Sequence, residues 1–296
     1  MTSKKKHRKD SVGYIIFQIF NYIFLTLVAL LCILPLVHIL AISLSEKGPV
    51  EANIVSLWPK GFNFDSYKYV FSTNQFWVSL KITVLRTVLG TILTLLLTIC
   101  LAYPLSRPGR QFRGRKIYMT LMIIAMLFSG GLIPTYIVVT DVLKLKDSIA
   151  SLILPCGIQI FSALMMMNFF RMLPKELEEA AYIDGADHFQ TLFRIVLPCS
   201  LPIIITVVLF SVIAHWNSWF DGLIYNTQPE YYPLQTYLQQ FLKQPTNSSM
   251  EMKFNKISDS SLASANIFVI MIPVLIFYPW MQKYFIKGIT LGSVKE

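Results

Sequence analysis

Charge is scarce in this chain: only 14 % of its 296 residues are Asp, Glu, Lys or Arg, against 54 % hydrophobic. That balance excludes an ordinary soluble domain, because the apolar residues also come in runs rather than at amphipathic spacing. The four cysteines, Cys32, Cys100, Cys156 and Cys199, lie in or beside those runs without metal-like spacing. They read as small packing residues with no redox role. Gly-rich phosphate loops of the Walker type are missing, as are HExxH and GxSxG motifs, so neither nucleotide binding nor hydrolytic catalysis has a visible seat. No internal repeat is present, which excludes a two-fold repeated transporter fused into one chain. The apolar runs hold no acidic residue at their centres, which counts against an ion-coupled transporter working alone.

What the chain does have is length in its apolar runs. A bilayer core needs about 20 consecutive apolar residues in a helix. Six stretches qualify: Tyr14 to Leu44, Phe76 to Tyr103, Ile117 to Val139, Ser148 to Phe170, Cys199 to Leu223 and Leu262 to Phe285. Backbone groups in lipid must be satisfied internally, and ten-residue alternating barrel strands are absent, so the runs are helices. The expected fold is all-α and integral to the membrane, with six transmembrane helices. It divides into a basic N-terminus over residues 1–13 and a six-helix transmembrane body over 14–296.

Net charge +10 would suit nucleic acid, but its distribution points elsewhere. Lys4, Lys5, Lys6, Arg8 and Lys9 precede the first run, and Arg107, Arg110, Arg113, Arg115 and Lys116 follow the second. Arg171, Lys175, Arg194, Lys283, Lys287 and Lys295 fall on the same side, giving sixteen basic residues against eight opposite. The positive-inside rule therefore places both termini in the cytoplasm. The first run is too long for a signal-peptide core and reads as a retained span. His38 reads as a hydrogen-bonded packing residue, Arg86 as snorkelling or pairing within the bundle, and Met165-Met166-Met167 as packing rather than a copper path. Pro104, Pro134, Pro155 and Pro273 are expected to end or kink helices. Of the two outward segments, Asp65 is expected to cap a short aromatic helix over Ser66 to Phe71, and a second short helix is expected around Leu234 to Leu242.

Between the fourth and fifth runs lies a charged insertion over residues 172–198. Pro174 suits the first turn of a helix, followed by Glu176, Glu178 and Glu179 near its positive end. Leu177, Ala180 and Ala181 make one narrow apolar stripe, and Gly185 stands where a left-handed residue would end the helix. Asp187 can cap a second helix carrying Phe189, Leu192, Phe193 and Val196 at helical spacing, with Pro198 closing it. The residues alone leave two readings open. The small alanines beside Glu179 allow close docking of a partner, whereas an interfacial helix could lie on headgroups, against which the carboxylates weigh.

Glu179-Ala180-Ala181, Gly185, Ile195 and Leu197-Pro198 stand at the spacing of the EAA loop of binding-protein-dependent ABC importer permeases. The chain resembles those permeases over most of its length, and is most similar to the carbohydrate importers of the maltose-permease type. Phe128-Ser129-Gly130-Gly131-Leu132-Ile133-Pro134-Thr135-Tyr136 and Gln282-Lys283-Tyr284-Phe285-Ile286-Lys287-Gly288-Ile289 are similar to the subgroup for oligosaccharides and uronate-containing saccharides. Trp216-Asn217 followed by Trp219-Phe220 also fits, although Asp221-Gly222 replaces the Pro-Leu common there. The resemblance implies a type I ABC importer transmembrane domain in a bacterial cell membrane. It implies a second permease subunit, two cytoplasmic ATP-binding subunits holding the ATP and Mg, and an external solute-binding protein. No cofactor is implied in this chain. Glu179, Ala180, Ala181 and Gly185 are carried over as coupling residues, with Asp184, Leu197 and Pro198 supporting them.

His215, Trp216, Asn217, Trp219 and Asp221 form a polar and aromatic cluster late in the fifth run. Aromatic faces with hydrogen-bonding side chains suit a saccharide pathway, with Asn217 expected to find a partner inside the bundle. An interfacial aromatic belt is the competing reading for Trp216 and Trp219, and Asp221 reads as a solvated span end. Two alternatives to a sugar permease stand beside it: the same architecture carrying a non-sugar solute, or a membrane-embedded saccharide-transferring enzyme.

Overall fold

The computed structural model describes residues 12–243 and 257–293; the basic N-terminal decapeptide and Lys295 lie outside them. Among the described residues the regular structure is helical throughout. In chain order the helices are α1 (Val12–Ser43), α2 (Lys47–Glu51), α3 (Asp65–Ser72), α4 (Asn74–Ser106) and α5 (Arg115–Leu127). There follow α6 (Leu132–Ile137), α7 (Ile149–Ile153), α8 (Ile160–Met172), α9 (Lys175–Ile183) and α10 (His188–Thr191). The last five are α11 (Leu197–Cys199), α12 (Leu201–Asn217), α13 (Phe220–Tyr225), α14 (Leu234–Lys243) and α15 (Asp259–Ser293).

Three of these are each long and apolar enough to cross a membrane: α1, α4 and α15. The other three expected spans are broken. Arg115–Leu127 meets Leu132–Val142 at 113°, Ile149–Cys156 meets Ile160–Met172 at 48°, and His188–Cys199 meets Leu201–Asn217 at 81°. Two of the breaks have a visible local cause. Ser129, Gly130 and Gly131 are poor helix formers interrupting the third run. Pro155 sits in a single 3₁₀ turn at the second break. The fifth run stops at Asn217, before α13, rather than reaching Leu223 as one helix. Pro104 lies two residues before α4 ends, whereas Pro273 sits inside α15 and does not end it. Pro134 falls in the first turn of α6, where proline is tolerated.

The described residues divide into two compact units, 12–70 with 257–269, and 71–243 with 270–293. In the first, Ala41, Val50 and Val55 pack together below the end of α1. Ser45 Oγ donates to the Ala41 carbonyl at 2.6 Å and accepts from Lys60 N at 3.0 Å, folding the connection after α1 back on the helix. His38 Nδ1 lies 2.8 Å from the Ser56 carbonyl, the hydrogen bond its sequence context suggests. Asp65 enters the first turn of α3 rather than capping it, pairing with Lys68 at 3.1 Å. Tyr67 hydroxyl meets Ser43 Oγ at 2.7 Å, and burial pushes the phenol above its ordinary pKa despite that bond.

In the second unit α4 is the spine. Its buried face reads Ser79, Thr83, Arg86, Thr87, Gly90, Thr91, Thr94, Thr98 and Ala102, almost all small. Small residues let helices approach closely in a membrane, where burial of apolar surface gives no driving force. At one end this face meets Leu105, Met166, Met167, Phe170, Val196 and Val207, which form the core. Met166 and Met167 are buried there, and Met165 packs against them. The cysteines depart from their expected packing role, since all four are free and exposed. Cys100 lies off the buried face of α4, and Cys156 and Cys199 sit at two of the three helix breaks.

Candidate functional site

The insertion folds as a helix, a reversal and a second helix. Pro174 serves as the N-cap of α9 rather than its first residue, and Glu176 and Glu178 occupy the first turn. At the far end Asp184 caps the helix and Gly185 adopts φ +81°. Ala186 N donates to the Ala181 carbonyl at 2.9 Å and Gly185 N to the Tyr182 carbonyl at 3.1 Å. Those two bonds define a Schellman closure, which satisfies carbonyls that the helix end would leave bare. A Cβ at Gly185 would meet nothing within 4 Å, so the demand for glycine there is conformational rather than steric.

Asp187 then caps α10 through a reciprocal pair: its Oδ1 accepts from Gln190 N at 2.7 Å, and Asp187 N donates to Gln190 Oε1 at 3.3 Å. Beyond Thr191 the chain widens into a π turn, Leu192–Val196, before α11 with Leu197 and Pro198. That turn splits the expected apolar stripe, because an i→i+5 turn holds more residues and carries i+3 neighbours off the shared face. Leu192 and Val196 are buried, whereas Phe189 is 74 % and Phe193 61 % exposed. The bend at Ser200 follows, not at Pro198.

The small residues of α9 also divide. Ala181 is buried against the chain, leaving Ala180 and Glu179 outward-facing. Glu178 faces inward and pairs with Arg107, at the end of α4, with both side chains 13 % exposed. The Arg107 guanidinium also lies 4.2 Å over the Tyr103 ring. Tyr103 hydroxyl donates to the His188 carbonyl at 3.2 Å, and Tyr182 hydroxyl meets His188 Nδ1 at 2.9 Å. The insertion is thus tied to α4 on both sides of its reversal. These ties were invisible in the sequence, where Arg107 counted only towards topology. The surface left outside carries Glu179, Ala180 and the apolar Ile183, which is 86 % exposed.

The cluster at the end of α12 does not assemble as one lining. His215 and Trp216 turn inward, and Trp216 Nε1 donates to the Ile270 carbonyl at 3.3 Å. Asn217 is exposed and donates to the Ile213 carbonyl of its own helix at 3.0 Å, so it has no bundle partner among the described residues. An own-turn carbonyl satisfies the amide locally, which is why none was needed. Trp219 is half-buried, with Lys243 Nζ 5.9 Å over its ring.

Asp221 is not a solvated span end. Arg86, fully buried on α4, pairs with it through both carboxylate oxygens and donates to the Ser218 carbonyl at 3.1 Å. Asp221 Oδ1 also accepts from Ser218 Oγ at 2.8 Å and from Gly222 N at 2.9 Å. A buried guanidinium needs a carboxylate, which explains why a charge follows the fifth span. A further contact joins Asp147 to Thr227 and Gln228. The Asp147 carboxylate accepts from Thr227 N at 2.5 Å, Thr227 Oγ1 at 2.8 Å and Gln228 N at 3.1 Å.

Residues 3–291 match the family of binding-protein-dependent transport system inner membrane components. The chain is 40 % identical over 286 residues to the polygalacturonan/rhamnogalacturonan transport system permease protein YtcP of Bacillus subtilis, covering 95 % of this chain and 98 % of that one. It is 39 % identical over 283 residues to protein LplC of the same organism, covering 95 % of each. Among solved structures it is similar to a chain of a bacterial ABC transporter involved in the import of the acidic polysaccharide alginate. That likeness has a TM-score of 0.88 at 30 % identity, over 94 % of this chain and 99 % of the other. The helical architecture is that of an ABC importer permease, and the chain belongs to the binding-protein-dependent transport system inner membrane component family.

Proposed function

We propose that this chain carries an oligosaccharide, with uronate-containing saccharides foremost, into the bacterial cytoplasm as one of two different permease subunits. The substrate class is suggested by the pectin-type and alginate substrates in the names of its relatives. ATP is hydrolysed on two separate ATP-binding subunits, and an external solute-binding protein delivers the saccharide. The basic residues of the α4–α5 connection and of the insertion support an orientation with both termini inside.

The observation that carries the reading is the outward surface of the insertion. A rigid, doubly capped reversal presents Glu179, Ala180, Ile183 and Phe189 to solvent, while its other face is tied to α4. An ATP-binding subunit docking there receives a carboxylate and an apolar rim on a fixed base. Ala181, Asp184, Gly185, Leu197 and Pro198 hold that surface in shape. At the end of α12 the exposed Asn217 amide and the half-buried Trp219 ring offer polar and aromatic groups suited to a saccharide, with His215 and Trp216 buried beside them.

The test is uptake by the reconstituted importer of oligogalacturonides against neutral oligosaccharides of equal length, alongside saccharide-stimulated ATP hydrolysis. Wild type is expected to take up the acidic series, and Glu179→Lys to abolish both uptake and stimulation while still inserting. Normal coupling in Glu179→Lys, or uptake confined to non-saccharide solutes, would overturn the proposal.

A further inference from the structure

The connection between α4 and α5 holds a site that coupling and transport do not use. From Arg107 to Lys116 it carries five cations and no acid. Arg107 is consumed by Glu178, but Arg110, Arg113, Arg115 and Lys116 have no carboxylate counterpart among the described residues. Three of these four surround an open cavity of about 580 Å³, lined by Gly109, Phe112, Arg113, Arg115, Lys116 and Met119. The volume falls within the roughly 300–1,000 Å³ typical of small-molecule sites.

The cavity is built rather than incidental. Arg115 is half-buried, and its Nε donates to the Leu105 carbonyl at 3.1 Å, fixing the guanidinium at the cavity wall. Phe112 stacks on Tyr118, with ring centroids 5.6 Å apart and planes at 26°. One wall is therefore cationic and the other apolar. The apolar wall runs on into an exposed face of α5, with Ile117 66 %, Tyr118 51 % and Leu121 55 % exposed. An apolar face left uncovered in this chain at the start of a membrane span suits acyl chains.

Three unpaired cations held together repel one another, and an anion between them relieves that repulsion. The anion must tolerate an apolar neighbour continuous with lipid, which a phosphodiester bearing acyl chains does and a free ion does not. We propose that this cavity binds the headgroup of an anionic phospholipid, with Arg113, Arg115 and Lys116 on the phosphate and Phe112 and Met119 against the glycerol and upper acyl chain. The inference is independent of which solute the importer carries.

The test uses the assembled importer in nanodiscs of phosphatidylcholine containing a minor fraction of phosphatidylglycerol, with retained lipid counted by native mass spectrometry. Wild type should retain phosphatidylglycerol selectively, and Arg113→Gln with Lys116→Gln should lower that selectivity roughly thirtyfold. Arg113→Lys with Lys116→Arg should restore it. Arg110→Gln removes a charge from the same segment without touching the cavity, and should change selectivity less than about twofold. An equal loss in Arg110→Gln would mean a diffuse surface potential and overturn the proposal. So would displacement of the bound lipid by millimolar inorganic phosphate. Selectivity that vanishes when the ATP-binding subunits are stripped away would assign the cations to a protein interface instead, and would also overturn it.

Discussion

Arg107 and Glu178 lie 71 positions apart in sequence and form an ion pair with both side chains nearly buried. The pair fastens the first helix of the insertion to the end of the second span. Removing one partner leaves the other charge desolvated, which for buried pairs costs about 3–5 kcal/mol. Glu178→Ala is therefore expected to loosen α9, read as faster proteolysis within residues 172–198. The double substitution Arg107→Met with Glu178→Leu should recover much of the protection, because no charge is then stranded.

Gly185 sets the reversal through its φ of +81°, with open space around it. A side chain here meets a backbone cost of about 1 kcal/mol and no clash. Gly185→Asn, which tolerates the left-handed region, should retain most uptake. Gly185→Val should lose it with membrane levels unchanged, measured by transport in vesicles normalised to inserted protein. Equal activity in the two variants would remove the conformational explanation.

Gly90 on α4 packs against the imidazole of His215, where an added Cβ would lie 2.6 Å from the ring. Gly90→Ala must push α12 away from α4, a cost of about 1–3 kcal/mol for overpacking. Thermal unfolding in detergent should show a lowered midpoint, and His215→Ala in the same chain should return most of it.

Asp147 gives its contact with Thr227 and Gln228 a pH dependence. Burial by itself raises its carboxyl, but the donors from Thr227 and Gln228, with Lys146 beside it, hold it below the usual carboxylate value of about 3.9. Because the folded pKa is the lower one, its contribution is present above the ordinary value and is lost as pH falls through the depressed one. Hydrogen exchange at Thr227 and Gln228 should therefore stay slow at neutral pH and accelerate only as pH falls below the ordinary carboxylate range. In Asp147→Asn it should be fast at every pH.

The parts of this fold readable from sequence were those with a local signature. Long apolar runs announce α1 and α4, and Gly185 and Asp187 announce the ends of their helices through their own backbone chemistry. What escaped depends on distance along the chain. Asp221 looked solvated because its partner Arg86 stands 135 positions away. Phe189 and Phe193 fitted the α-helical spacing, and only a π turn, which composition does not encode, put them outside. Asn217 looked in need of a bundle partner because hydropathy does not reveal that its own preceding turn could supply one.

The insertion is continuous with α12 across the bend at Ser200, and it is tied sideways to α4 by Arg107 and Tyr103. It behaves as a bell crank: one arm is covalent, the other is pinned, and the elbow is set at 81°. Under the proposed docking of an ATP-binding subunit, a thrust delivered to Glu179 and Ile183 reaches the second span through the pinned arm and the fifth through the covalent one, so the two spans are expected to turn together.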